Sequence, residues 1–314
     1  MTQINIHFIY KHILLVKILF ISFLLQTAFY CASAPVDDPP ADITDDAIKS
    51  TIYDLAAFGT RYARNPKALE AAAYLEKRLR EIGLQTTYDT FQDDAVEMRN
   101  VVGVMPSRKG NSSQIIILGA HYDSTSSEAP DGPAPGADDN ASGVAAVLAA
   151  AEALNKDELN SEIRVVFFTA EEMGCKGSKH YVKETLAAEK RPVVALIADY
   201  IGEDTGRADS TMILHNRHSA ALMRKIISVA KEEPLELKVS ALPSDYYPTY
   251  GDYRAFWDAK YQAVMFVREY HFDSDSTNIM HTPNDLPERI NIGQVTKVSK
   301  LIYYSVLALD SLNY

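Results

Sequence analysis

The runs VVFFTA at 165–170 and VVALIA at 193–198 constrain this chain more than any other feature. They lack the polar alternation of a strand with one wet face, so each belongs in a sheet covered on both sides, as parallel sheets under helices are. Neighbouring segments supply the helices: SGVAAVLAAAEALN (142–155) precedes the strand EIRVVFFTAEE (162–172), and SKHYVKETLAAEK (178–190) separates it from VVALIADYIG (193–202). A second round follows, with STMILHN (210–216) and YQAVMFV (261–267) as strands and SAALMRKIISVAKEE (219–233) and 291–314 as helices. Upstream, 48–59 and 65–83 space apolar residues three and four apart and predict two helices, the second stopping at Gly83. LQTTYDTF (84–91), NVVGVMPS (100–107) and SQIIILGAHYD (113–123) predict strands. No repeat, glycine-rich phosphate loop or linker divides 40–314. The expectation is therefore one α/β domain over 45–314, a mixed and mostly parallel central sheet with helices on both faces.

Ligand crevices in such open sheets lie beyond the carboxyl ends of the strands. His121 ends one predicted strand, Glu171 and Glu172 the next, and Asp199 a third. In HYDS (121–124), residues two apart point the same way. Asp123 can thus orient a His121 that binds metal through its other nitrogen; the alternative is a strand-end histidine beside a capping aspartate. In GADDNASG (136–143) the acids directly precede a helix, where Asp139 or Asn140 serves as a cap or as a ligand. The Glu171–Glu172 pair repels itself at the end of a buried strand unless a cation is present. Adjacent side chains diverge, so one glutamate can bind metal while the other faces a water as general base. Asp199 closes an apolar strand where a lone charge is expensive, and His281 follows in NIMHTPND (278–285).

Composition narrows the partners. A formal charge of −11 without any Lys/Arg cluster argues against nucleic acid, and 47% apolar residues exclude disorder and fibres. Residues 1–33 carry Lys11 and Lys17, no acid, and an apolar stretch ending in small residues, which is the layout of a secretory signal. Export to the periplasm or exterior with cleavage after Ser33 is the leading expectation, with no stable membrane insertion thereafter. Lipid attachment at Cys31 and a retained anchor are the alternatives. Residues 34–44 form a polar, Pro-rich spacer. Cleavage leaves Cys175 alone, so no internal disulfide forms.

Taken together and in order, FGTRYARNPKALEAAAYLEKRLREIG, H-x-D-S, G-A-D-D-N-A-S-G, A-E-E-x-G-x-x-G-S, an aspartate after an apolar strand, and H-T-x-x-D make the chain resemble the co-catalytic zinc aminopeptidases. These are the bacterial leucyl aminopeptidase and aminopeptidase Y type, related to glutaminyl cyclases and glutamate carboxypeptidases. The resemblance spans roughly 45–313 and implies a zinc-exopeptidase-like fold and two zinc ions. It implies Asp139 bridging the ions, His121 and Asp199 on one, Glu172 and His281 on the other, and Asp138 as a neighbour without a metal bond. Glu171 would be the general base toward a metal-bridging water, and peptides with a free N-terminus the substrates. Departures stand beside these matches: Tyr200 follows Asp199, and in GDYRAFW (251–257) Asp252 matches the family's S-D-H but Tyr253 stands at the histidine. Asp252, Tyr247 and Tyr250 are the candidate substrate-binding residues, either tyrosine being a possible oxyanion donor or ordinary packing. A glutaminyl-peptide cyclotransferase on the same scaffold is the enzymatic alternative, and a binding ectodomain without catalysis the other; a carboxypeptidase lacks its arginine cluster. Oligomeric state has no signal in the sequence.

Overall fold

The computed structural model describes residues 40–110, 112, 114–243, 250–269 and 279–311. The segment 1–33 with Cys31, the spacer up to residue 39 and Tyr247 lie outside them. The end of the spacer has a structural role: Thr44 accepts from the Ala47 amide at 3.2 Å and caps the helix Asp45–Ala56.

One eight-stranded sheet carries the fold. In chain order its strands are β1 (Gln85–Asp93), β2 (Val96–Met105), β3 (Ile115–His121), β4 (Glu162–Phe168), β5 (Val193–Ala198), β6 (Ser210–His215), β7 (Lys238–Pro243) and β8 (Gln262–Val267). In space they run β1-β2-β4-β3-β5-β8-β6-β7. The four central strands β4, β3, β5 and β8 are mutually parallel, while β2 and β6 join them antiparallel at either side. This is the mixed, mostly parallel sheet expected from the apolar runs. Alternation within a strand divides the core. Ile116, Leu118 and Ala120 pack under the helices Asp45–Ala56, Pro66–Glu81, Gly143–Leu154, Ala220–Glu232 and Ile292–Asp310, while Ile115 and Ile117 face Tyr181, Tyr253 and Phe256 on the other side. Among the described residues no helix is long and apolar enough to cross a membrane.

Several boundaries differ from expectation. β2 starts at Val96, not Asn100, because Asp94 and Ala95 turn the chain with φ of 48° and 65° and pair the whole hairpin. The helix placed at 178–190 begins earlier and ends earlier, as Lys176–His180 continuing through a wider turn to Thr185. The edge strand β7 and the short helix Tyr253–Asp258 were not anticipated. β7 lines the sheet edge with four half-exposed residues between exposed ends and buries none, so no period of apolar residues announces it.

The topology positions the site. Chain leaving β3 returns to β4 on one side, and chain leaving β4 passes over to β5 on the other, so the ends of three parallel strands converge on one edge.

Candidate metal centre

His121 is the last residue of β3, Asp199 follows β5, and Glu171 and Glu172 lie three and four residues beyond β4. Asp139 arrives from Ala137–Ser142, an irregular turn before the helix Gly143–Leu154. Two glycines permit that approach. Gly136 has φ +56°, and a Cβ there would lie 2.5 Å from the Asp139 carbonyl oxygen; a Cβ on Gly143 would lie 2.5 Å from the Ala198 carbonyl oxygen at the end of β5. Ser142 holds the cap position of this helix without a side-chain cap bond, and Asn140, not Asp139, meets its first amide: Asn140 Oδ1 accepts from the Gly143 amide at 2.9 Å.

Asp139 then divides its carboxylate between two histidines. His121 Nε2 lies 3.1 Å from Asp139 Oδ1 and 3.0 Å from Asp199 Oδ1. His281 Nε2 lies 3.2 Å from Asp139 Oδ2 and 2.9 Å from Glu172 Oε2. Among the described residues three groups have ligand atoms within 4.8 Å of one another: His121–Asp139–Asp199 and Asp139–Glu172–His281, which share Asp139, and His121–Glu171–Glu172, which bridges them. Bonds of about 2.1 Å in a tetrahedron separate ligand atoms by roughly 3.4 Å, close to these spacings. Glu172 Oε1 is buried with no hydrogen-bond partner, as expected of an oxygen awaiting a cation. The donors are nitrogen and oxygen only, which suits zinc. Residues and spacing fit two such ions sharing Asp139.

His121 Nδ1 lies 3.2 Å from the backbone carbonyl oxygen of Asp123 and 3.5 Å from its carboxylate Oδ1, so the main chain of residue 123 is the nearer partner of the ring. The two carboxylate oxygens accept from the backbone amides of Glu171 at 3.1 Å and Glu172 at 3.3 Å, so one buried carboxylate sets the position of both glutamates. Asp138 is turned away from the histidines. Its Oδ1 accepts from the Gly202 and Glu203 amides at 2.7 and 3.0 Å, and its Oδ2 lies 3.4 Å from the Arg268 guanidinium, which also pairs with Glu203. Asp252 is 2% exposed, and neither carboxylate oxygen has a hydrogen bond of normal geometry. Tyr250 is 82% exposed, and among the described contacts none joins it to the centre. His180 stacks on Phe91 with Nε2 3.3 Å from Asp89 Oδ1, half-buried.

Two supporting residues carried no assigned role. Asp285, the last residue of H-T-x-x-D, is buried and accepts from the Asp138 amide at 2.7 Å and the Asp139 amide at 3.0 Å, fixing the turn that presents Asp139. Arg61, within the motif FGTRYARNP, is fully buried and donates to the carbonyls of Leu55, Tyr122, Pro135 and Gly136, clamping β3's exit to the same turn. Their motif membership was the available signal.

Burial and mutual charge shift most of these groups. Burial, then the charge of Asp139, pushes Glu172 up to about 7, and burial raises Asp199 to about 6. Burial likewise raises Asp285 and Asp252 to about 7 and Asp138 to about 6, and lifts Glu171 well above the usual carboxylate range. Hydrogen bonds to Asp139 and Glu172 raise His281 to about 11, and burial opposes a charged His121, which its three aspartates nonetheless hold well above the usual histidine range. Asp139 alone is lowered, its burial outweighed by bonds to both histidines. The raised carboxyls bind more protons folded than unfolded between about pH 4 and 7, so their contribution to stability falls as pH rises through that window. His281 acts in the same direction higher up, its contribution present below about 6.5 and lost through about 11. Metal-free protein is therefore expected to melt at lower temperature at pH 8 than at pH 5, and zinc, which replaces those protons, to raise the Tm more at pH 8. Scanning calorimetry with and without zinc measures both; metal-free protein that is more stable at pH 8 would refute this picture.

A family model described as Peptidase family M28 matches residues 100–306. A probable leucine aminopeptidase of Trichophyton verrucosum is 26% identical over 270 residues, covering 83% of this chain and 72% of that protein. The structure of BSAP, a zinc aminopeptidase from Bacillus subtilis, superposes with a TM-score of 0.75 at 17% identity, covering 86% of this chain and 95% of that one. A Bacteroides thetaiotaomicron glutaminyl cyclase bound to N-acetylhistamine superposes at 0.69 with 18% identity, covering 84% and 97%. The two structural likenesses are likenesses of fold.

Proposed function

The chain belongs to peptidase family M28, and on that premise we propose that it is an exported di-zinc aminopeptidase that removes N-terminal residues from peptides. The observation that carries this reading is the shared Asp139 carboxylate, which offers one oxygen to each of two complete ligand groups. In this reading His121 and Asp199 hold one ion, Glu172 and His281 the other, and Asp139 both. Zinc there would supply Lewis acidity to the scissile carbonyl and bring water within reach of deprotonation near neutral pH. Glu171 takes that proton and passes it to the leaving amine; it is half-buried beside His121 and Glu172, where its affinity for a proton is raised. Asp123 holds both glutamates by their backbones. Asp252, with two unpartnered buried oxygens, is the candidate for receiving a polar group of the substrate.

The glutaminyl-cyclase reading draws on the cyclase neighbour. The second group, with Glu172 and His281 both in place, favours the two-ion hydrolase. The decisive experiment measures zinc per purified chain alongside release from free and N-acetylated aminoacyl peptides, with a Gln-initiated peptide assayed for ammonia. Two zinc ions and hydrolysis of free N-termini alone are expected. Equal hydrolysis of the acetylated peptide would overturn the aminopeptidase, and ammonia release without peptide hydrolysis would establish the cyclase.

A further inference from the structure

The turn after β4 brings a cysteine back against the proposed base. Glu171's carbonyl accepts from the amides of Gly174 and Cys175, both at 2.8 Å, in a chain that passes through φ of +54° at Ala170, +93° at Gly174 and +56° at Cys175. This folds residue 175 over residue 171 and places Cys175 Sγ 3.5 Å from Glu171 Oε1. Among the described residues the thiol is the only hydrogen-bond partner of that carboxylate. A left-handed backbone costs about 1–2 kcal/mol for a residue with a Cβ, so local backbone preference favours glycine at 175 and does not account for the cysteine.

We propose that Cys175 is a positioning residue: its thiol donates to Glu171 Oε1 and holds the carboxylate in the orientation from which it serves the centre. The inference rests on Glu171 being the general base. Cys175 is 4% exposed and Asp252 2%. Burial, then the nearby charges of Asp252 and Glu171, pushes the thiol far above its usual range. The contact at 3.5 Å thus sets a thiol donor against a carboxylate oxygen, which can only accept from it. Sulfur is a weak donor, so the group steers the base without binding it so strongly as to hinder proton transfer. The Glu171 backbone is held separately by Asp123. The two anchors act on different ends of the residue.

The test uses the full, zinc-loaded chain and the variants C175A, C175S and E171A. C175A is expected to lower kcat about fivefold, the worth of one weak hydrogen bond, with KM and zinc content unchanged. C175S, which keeps a donor, should recover most of that loss even if its Tm falls as far. A cysteine that merely fills space would instead give kcat losses that follow Tm in both variants. A readout independent of turnover is the infrared S–H stretch of Cys175, isolated by subtracting the C175S spectrum. It is expected at the lowered frequency of a hydrogen-bonded thiol and should rise in E171A. A free-thiol frequency, or no response to E171A, would overturn the contact. Absence of peptidase activity in the wild type would overturn the functional reading while leaving the spectroscopic result to judge the thiol.

Discussion

Glu171→Gln is expected to fold, to bind zinc as the wild type does, and to lose turnover by about a thousandfold, within the range that removing a general base produces. The substitution is close to isosteric and leaves the Glu171 amide free to donate to Asp123 as before. The thiol contact at Oε1 also retains an acceptor. What disappears is the capacity to take and return a proton. Stability should not fall, because the substitution removes one acid from a buried group whose members already raise one another's pKa. Combined kcat measurement, zinc analysis and calorimetry separate the outcomes. A kcat within a few-fold of wild type, in a variant with full zinc, would exclude Glu171 as the base. A loss of zinc together with activity would make Glu171 a ligand instead.

Most of this centre was visible in the sequence because its residues stand where a periodic pattern stops. His121 closes IIILGAH, Glu171 and Glu172 follow VVFF, and Asp199 follows VVALIA, so an apolar period ending in a polar or charged residue placed four of the clustered residues at three strand ends without knowledge of their contacts. The fold class followed from the same runs, since strands buried on both faces require helices above and below. Other features were hidden for physical reasons. Asp285 meets the amides of Asp138 and Asp139 across nearly 150 residues of chain, a contact that no local spacing encodes. Arg61 is a buried cation that donates to backbone carbonyls rather than to acids, so charge pairing could not announce it. β7 escaped because an edge strand need not be apolar. The choice between Asp138 and Asp139 came from resemblance, since two neighbouring aspartates before a helix carry the same local signal.

That choice yields the sharpest contrast between variants. Asp139→Asn is expected to reduce bound zinc from two ions to at most one and to cut activity by more than about 100-fold, beyond what disturbing a residue behind the ligands does. The carboxylate faces both histidines with one oxygen each, and an amide in its place keeps one oxygen and turns an N–H toward the other histidine's side. Asp138→Asn should behave oppositely, keeping zinc and most activity. Its oxygen serves the Gly202 and Glu203 amides, a task a carboxamide oxygen also performs, while the loss of charge beside Arg268 lowers stability by about 1–3 kcal/mol. Metal analysis and melting curves of the pair therefore distinguish ligand from scaffold one residue apart. If Asp138→Asn were the variant that lost zinc while Asp139→Asn kept it, the two-ion centre built on Asp139 would be wrong, and the geometry of the turn at 137–142 with it.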